Sequence, residues 1–150
     1  MQRYLFAILI VMAGAVAGIG LVQARADSAL DRGQALAEQG DVAGALAAYQ
    51  EIVAAQPEWG EAHARLGGMQ LVNQLYPDAV RSFQQAISLG VDDSQPFVGM
   101  AMAYLHMGQY GPARAALEEA KTRGSERSQD IDDILTWLDA REPQQPRSHP

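Results

Sequence analysis

His63, His106 and His149 are the side chains of this chain best suited to move a proton near neutral pH or to bind a transition metal, and they are scattered. None lies in an HExxH pattern or another spacing that would put two metal ligands on one helix face. The chain has no cysteine, which excludes a catalytic thiol, a thiolate metal site, a disulfide and a lipid-modified N-terminal cysteine. The acid pairs Asp92-Asp93 and Asp132-Asp133 lack the second group of any known catalytic constellation. No glycine-rich phosphate loop precedes a basic residue. These residues predict no catalytic site, no cofactor and no metal. The remaining chemistry is that of surface, and it depends on the elements that present it.

Composition limits those elements. The 150 residues suit one domain, and 48% hydrophobic with 19% charged residues suits a packed chain. Alanine is abundant and β-branched residues are few, which favours helix. The net charge of −7 argues against binding nucleic acid or an anionic membrane surface through bulk electrostatics.

Residues 4–22, YLFAILIVMAGAVAGIGLV, carry no charge; Arg3 precedes them and Ala24-Arg25-Ala26 follows. A basic start, an apolar middle and small residues at a cut are the layout of a secretory signal. The run is longer than the about 7–15 residues of a usual signal core and close to the about 20 that span a bilayer. Two readings fit residues 1–26: a cleaved signal peptide or a retained hydrophobic anchor helix. Both place the rest of the chain on the exported side, periplasmic in a bacterium, either soluble after cleavage near Ala26 or tethered to the inner membrane. Gly14 and Gly18 form a GxxxG that would pack helix dimers within a membrane.

Beyond residue 26 the chain repeats at a spacing of 34 residues. Gly33, Gly67 and Ala101 align, as do Arg32, Leu66 and Met100. So do Ala45, Ala79 and Ala113; Tyr49, Phe83 and Leu117; and Ile52, Ala86 and Ala120. The repeats are 26–59, 60–93 and 94–127. Each holds two helical patterns. In the first repeat Gly40 is placed to end one helix in a left-handed conformation and Asp41 to cap the next, which Pro57 ends. Gly108 repeats the Gly40 turn, and Pro77 and Pro112 fall near helix starts. The alanines let two helices approach closely, and the bulky residue one turn later fills the wedge between them. A single hairpin cannot bury both faces, so the hairpins must stack.

This pattern resembles the tetratricopeptide repeat family. Leu66-Gly67, Tyr104, the three alanines, Tyr49, Phe83, Ala86, Ala120 and Pro57 carry the resemblance. Its bulky fourth position is Ala29 in the first repeat and His63 in the second, and only Phe97 fits; Gly33 follows Arg32 rather than leucine. The expected fold is all-α: an α-solenoid of three helix hairpins plus a C-terminal capping helix, preceded by the hydrophobic N-terminal helix. Residues 128–141 read as the cap, with Ile131, Ile134 and Leu138 at the bulky positions. Residues 142–150, EPQQPRSHP, read as a disordered tail.

The resemblance implies a concave surface lined by the first helix of each hairpin. The family's groove positions fall on Asp27, Leu30, Gln34, Ala37 and Glu38, then on Glu61, Ala64, Gly68, Leu71 and Val72, then on Gln95, Val98, Met102, Leu105 and His106. Relatives that grip a C-terminal carboxylate use Lys, Arg and Asn there, and this chain has none at those positions; Arg65 is the nearest candidate. Leu71, Val72, Val98, Met102 and Leu105 instead predict an apolar strip, with Ala64 and Gly68 leaving room beside it. The expected function is a non-enzymatic scaffold or adaptor in the cell envelope. It would bind an apolar protein or peptide segment rather than a carboxylate terminus, in assembly or maturation of envelope proteins. It would contact a membrane only through residues 4–22. Self-assembly into a homo-oligomer is the alternative.

Overall fold

Three tight turns set the architecture, and all have the same hydrogen bonds. The N–H of Asp41 donates to the Leu36 carbonyl (2.9 Å) and that of Gly40 to Ala37 (3.0 Å). The pair recurs as Leu75 to Gln70 (2.8 Å) with Gln74 to Leu71 (3.0 Å), and as Gln109 to Tyr104 (2.9 Å) with Gly108 to Leu105 (3.0 Å). This double bond is the Schellman ending of a helix, and it needs one left-handed residue. Gly40 (φ 79°) and Gly108 (φ 70°) provide it as their spacing predicts, while the second repeat uses Gln74 at φ 61°.

The computed structural model describes residues 28–141, over which seven helices follow one another. They are α1 (28–38), α2 (Val42–Ala55), α3 (Gly60–Val72), α4 (Tyr76–Ser88), α5 (Gln95–His106), α6 (Tyr110–Thr122) and α7 (Ser128–Arg141). Six of them pair as hairpins, α1 with α2, α3 with α4 and α5 with α6, and α7 packs against α6. There is no strand among the described residues. The expected signal or anchor at 1–26 and the tail at 142–150 lie outside them. No helix of the described part is long and apolar enough to cross a membrane.

The caps follow the local sequence. The Asp41 carboxylate accepts from the Gly44 N–H at 2.9 Å, which satisfies one open donor at the start of α2. Pro77 and Pro112 lie in the first turns of α4 and α6, where an N–H is dispensable. His63, in place of a bulky apolar residue, bonds through its Nε2 to the Pro57 carbonyl at 2.9 Å. It thereby fastens α3 to the loop that enters it.

The aligned small and bulky positions form the core. Ala45, Ala79 and Ala113 are each 0% exposed, and Tyr49, Phe83 and Leu117 are 2%, 5% and 1% exposed. The small residue on the first helix lies under the bulky ring of the second. A Cβ on Gly33 would come within 2.7 Å of Tyr49, and one on Gly67 within 2.9 Å of Phe83. Phe83 also meets a second glycine, because a Cβ on Gly99 of the next hairpin would overlap the ring at its Cζ and Cε2. One aromatic side chain thus joins two repeats at the closest approach their backbones allow.

Two clusters result. Tyr49, Ile52 and Leu66 centre the smaller one, around the first hairpin and α3. The larger runs from α4 to α7 and includes Phe83, Phe97, Met100, Leu117, Ile131 and Leu138. Ile131 and Leu138 are almost wholly buried and Ile134 is partly so, which seats α7 against the third hairpin. Ion pairs from α6 hold it: Lys121 to Asp132 at 2.5 Å and Arg114 to Asp139 at 2.7 Å. Arg123 ties the loop before α5 to α6. It pairs with Asp92 and with Glu119 (2.7 Å), and its guanidinium lies 4.4 Å from the centre of the Phe97 ring. Within the second hairpin, the Ser82 hydroxyl donates to the Gln70 side-chain carbonyl at 2.7 Å, both residues being buried.

Candidate binding groove

Helices α1, α3 and α5 carry the residues for which a groove was expected, and the structure sorts them into three groups. Leu30 and Ala37 are partly buried against the smaller core cluster. Leu71, Val98 and Leu105 are partly buried against the larger one. These five have one side in the core, so they form a floor rather than a loose lining. Val72 and Met102 stand clear of it, 59% and 37% exposed. Ala64 is partly buried, and a side chain added at Gly68 would meet open space, so there is room beside the strip. Gln34 is exposed and donates to the Glu38 carboxylate one turn on (2.9 Å).

His106 is exposed, and its ring stacks flat on Tyr76, with centroids 4.7 Å apart and planes 3° from parallel. The histidine therefore belongs to an aromatic pair linking the end of α5 to the start of α4. Leu75, in the turn between α3 and α4, is 38% exposed and extends the apolar surface past the end of α3. The groove positions alone do not point to Leu75 or Tyr76. The repeat register does hold a signal for Leu75: its place is taken by Asp41 in the first hairpin and Gln109 in the third, so only the second repeat is apolar there.

The charges near this surface are mostly engaged. Arg65, the nearest candidate for gripping a carboxylate, is bonded to Glu61 at 2.7 Å. Both of these residues and Glu38 lie close enough to the Tyr49 hydroxyl to affect it electrostatically. Burial pushes the Tyr49 hydroxyl above its ordinary value, Arg65 pulls it down, and Glu61 and Glu38 push it up. His63 and His106 are not brought together with acids: among the described residues there is no group of three or more His, Asp or Glu side chains placed to hold a metal ion. An open depression at the loop before α3, lined by Gln56, Pro57, Glu58 and Trp59, contains none of the expected groove residues.

Residues 30–96 match the family model described as Tetratricopeptide repeat. That match spans the first two hairpins and the start of α5, so this part of the chain resembles tetratricopeptide repeats. Solved structures of similar fold agree. The TPR2B domain of yeast Sti1, in its pHsp70 complex, is 19% identical with a TM-score of 0.71, over 77% of this chain and 96% of that one. The type III secretion chaperone SycD of Yersinia enterocolitica, in complex with a peptide of the translocator YopD, is 13% identical with a TM-score of 0.74, over 78% and 94%. The second TPR of Spaghetti (RPAP3), bound to the HSP90 peptide SRMEEVD, is 26% identical with a TM-score of 0.63, over 65% and 91%. No curated protein matches the chain by sequence.

Proposed function

We propose that this tetratricopeptide repeat protein is a non-enzymatic binding module that holds an apolar segment of a partner protein against α3 and α5. The observation that carries this reading is the exposure of Val72 and Met102 beside the open space at Gly68. Large apolar side chains grouped on one face of a small protein expose surface that a partner can cover. The engagement of Arg65 by Glu61 favours an internal apolar segment over a terminal carboxylate. The similar structures named above include complexes with peptides, which supports a segment as the kind of partner.

The uncharged run at 4–22 supports export of the module, where it would serve proteins of the cell envelope. Intact-mass measurement of protein recovered from an exporting cell tests that part. A mass for the full chain in the cytoplasmic fraction alone would refute it.

The binding reading is tested by Val72→Glu with Met102→Glu. Both side chains are exposed, so the fold should survive, whereas Leu71 and Leu105 would perturb the core as well. In-cell crosslinking and partner identification with the folded double variant should lose the main partner. Undiminished recovery of that partner would sink the groove.

A further inference from the structure

The concave face changes character along the stack. Glu38 holds on α1 the repeat position that Val72 holds on α3 and His106 on α5. Packed helices are about 8–10 Å apart, so the three positions form a row across the face. Glu38 is exposed and accepts from the neutral Gln34 amide, a bond that leaves its charge in place. Glu61 and Arg65 lie on the neighbouring helix and pair with each other. The end of the row over the first hairpin is therefore acidic, and the middle is apolar.

Among the described residues no cation is paired with Glu38. Arg32, Arg65, Arg81, Arg114, Lys121 and Arg123 each pair with an acid of this chain. Acids outnumber bases overall, 18 to 11. A segment approaching this face meets an apolar strip with a carboxylate at one end.

We propose that the groove takes a segment that is apolar in its middle and carries a lysine or arginine at the end lying over α1. This rests on the binding reading above and adds the chemistry of the partner. An extended chain advances about 3.3 Å per residue. The cation at Glu38 would then lie about three residues from the side chain against Val72 and about six from the one reaching α5. Charge complementarity of this kind selects among apolar segments and sets their direction.

The test pans the full chain and the V72E/M102E variant against displayed random 12-residue peptides. Enriched peptides are then synthesised and titrated against the wild type, Glu38→Gln and Glu38→Lys. Peptides with Lys or Arg about three residues from an apolar side chain should dominate and should be lost on V72E/M102E. E38Q should weaken them about two- to fivefold, as for an exposed ion pair, and E38K should weaken them further. Peptides that need Val72 and Met102 but carry no cation, or that bind E38Q undiminished, would overturn the inference and leave the binding reading standing. Peptides indifferent to V72E/M102E, or no enrichment at all, would overturn the binding reading itself. Thermal melts of each variant confirm that the fold is intact before a loss is counted.

Discussion

Replacing Gly99 by alanine should destabilise the protein, although alanine is the better helix former by about 1 kcal/mol. A Cβ at Gly99 overlaps the Phe83 ring, which is only 5% exposed and already packed along its Cδ1–Cε1 edge against Gly67, so it has little room to retreat. Forcing a methyl group into a packed core costs about 1–3 kcal/mol, and a buried ring in contact with two glycines belongs at the upper end. With the gain in helix propensity subtracted, the net loss is about 1–2 kcal/mol. Gly68→Ala is the control, since a Cβ there meets nothing within 4 Å. It keeps the propensity gain without the clash and should stabilise by up to about 1 kcal/mol. At about 4 °C per kcal/mol for a domain of this size, the two variants should melt on opposite sides of the wild type, roughly 8–12 °C apart. Circular dichroism melts and urea titrations read this directly. Adding Phe83→Leu to G99A should recover part of the loss that G99A causes in the wild-type background. If G99A melts at or above G68A, Phe83 is not the wedge between the second and third repeats.

Three further outcomes follow from local structure. Gln74→Gly should stabilise by about 1 kcal/mol, because a left-handed residue with a Cβ costs about 1–2 kcal/mol that glycine avoids; a higher urea midpoint at unchanged slope would show it. Ser82→Ala should cost about 1–3 kcal/mol by leaving the buried Gln70 carbonyl without its donor, and adding Gln70→Leu should recover part of that in a double-mutant cycle. Alkaline pH should unfold the protein partly through Tyr49. Its folded value lies above the ordinary one, so past about pH 10 the unfolded state ionises first and stability falls, by at most about 1.4 kcal/mol per pH unit. In Tyr49→Phe that part of the slope should vanish, as pH-dependent melts would record.

The turns and the core were legible because their chemistry is local or periodic. Gly40 and Gly108 occupy left-handed turns, Asp41 caps α2, and the alanines at 45, 79 and 113 are buried to the last atom. Gln74 carries no local signal of its left-handed turn; only the 34-residue register, which aligns it with Gly40 and Gly108, points to it. Gly99 was missed for another reason: it has no counterpart in the other repeats, and its role depends on where Phe83 of the preceding hairpin points. The residues proposed to line a groove divide in a way that the sequence does not show. Family positions place Leu71, Val72, Val98, Met102 and Leu105 together, but only tertiary packing separates a floor anchored in the core from two side chains that stand above it.

That separation bears on how the groove would work. Leu71, Val98 and Leu105 touch the larger core cluster, so a partner resting on them bears on the same packing that holds α4 to α7 together. Such a floor is set before binding, which lowers the entropy lost on association. Met102 above it is unbranched and flexible, and a thioether adapts its shape to what it meets. A fixed floor with an adaptable rim favours one direction of approach while tolerating different apolar side chains. Discrimination must then come from something less forgiving than apolar fit, and on this face the carboxylate of Glu38 is the group that can reject as well as attract. Partner choice by charge and partner retention by apolar contact would then reside on different helices, α1 for the first and α3 with α5 for the second.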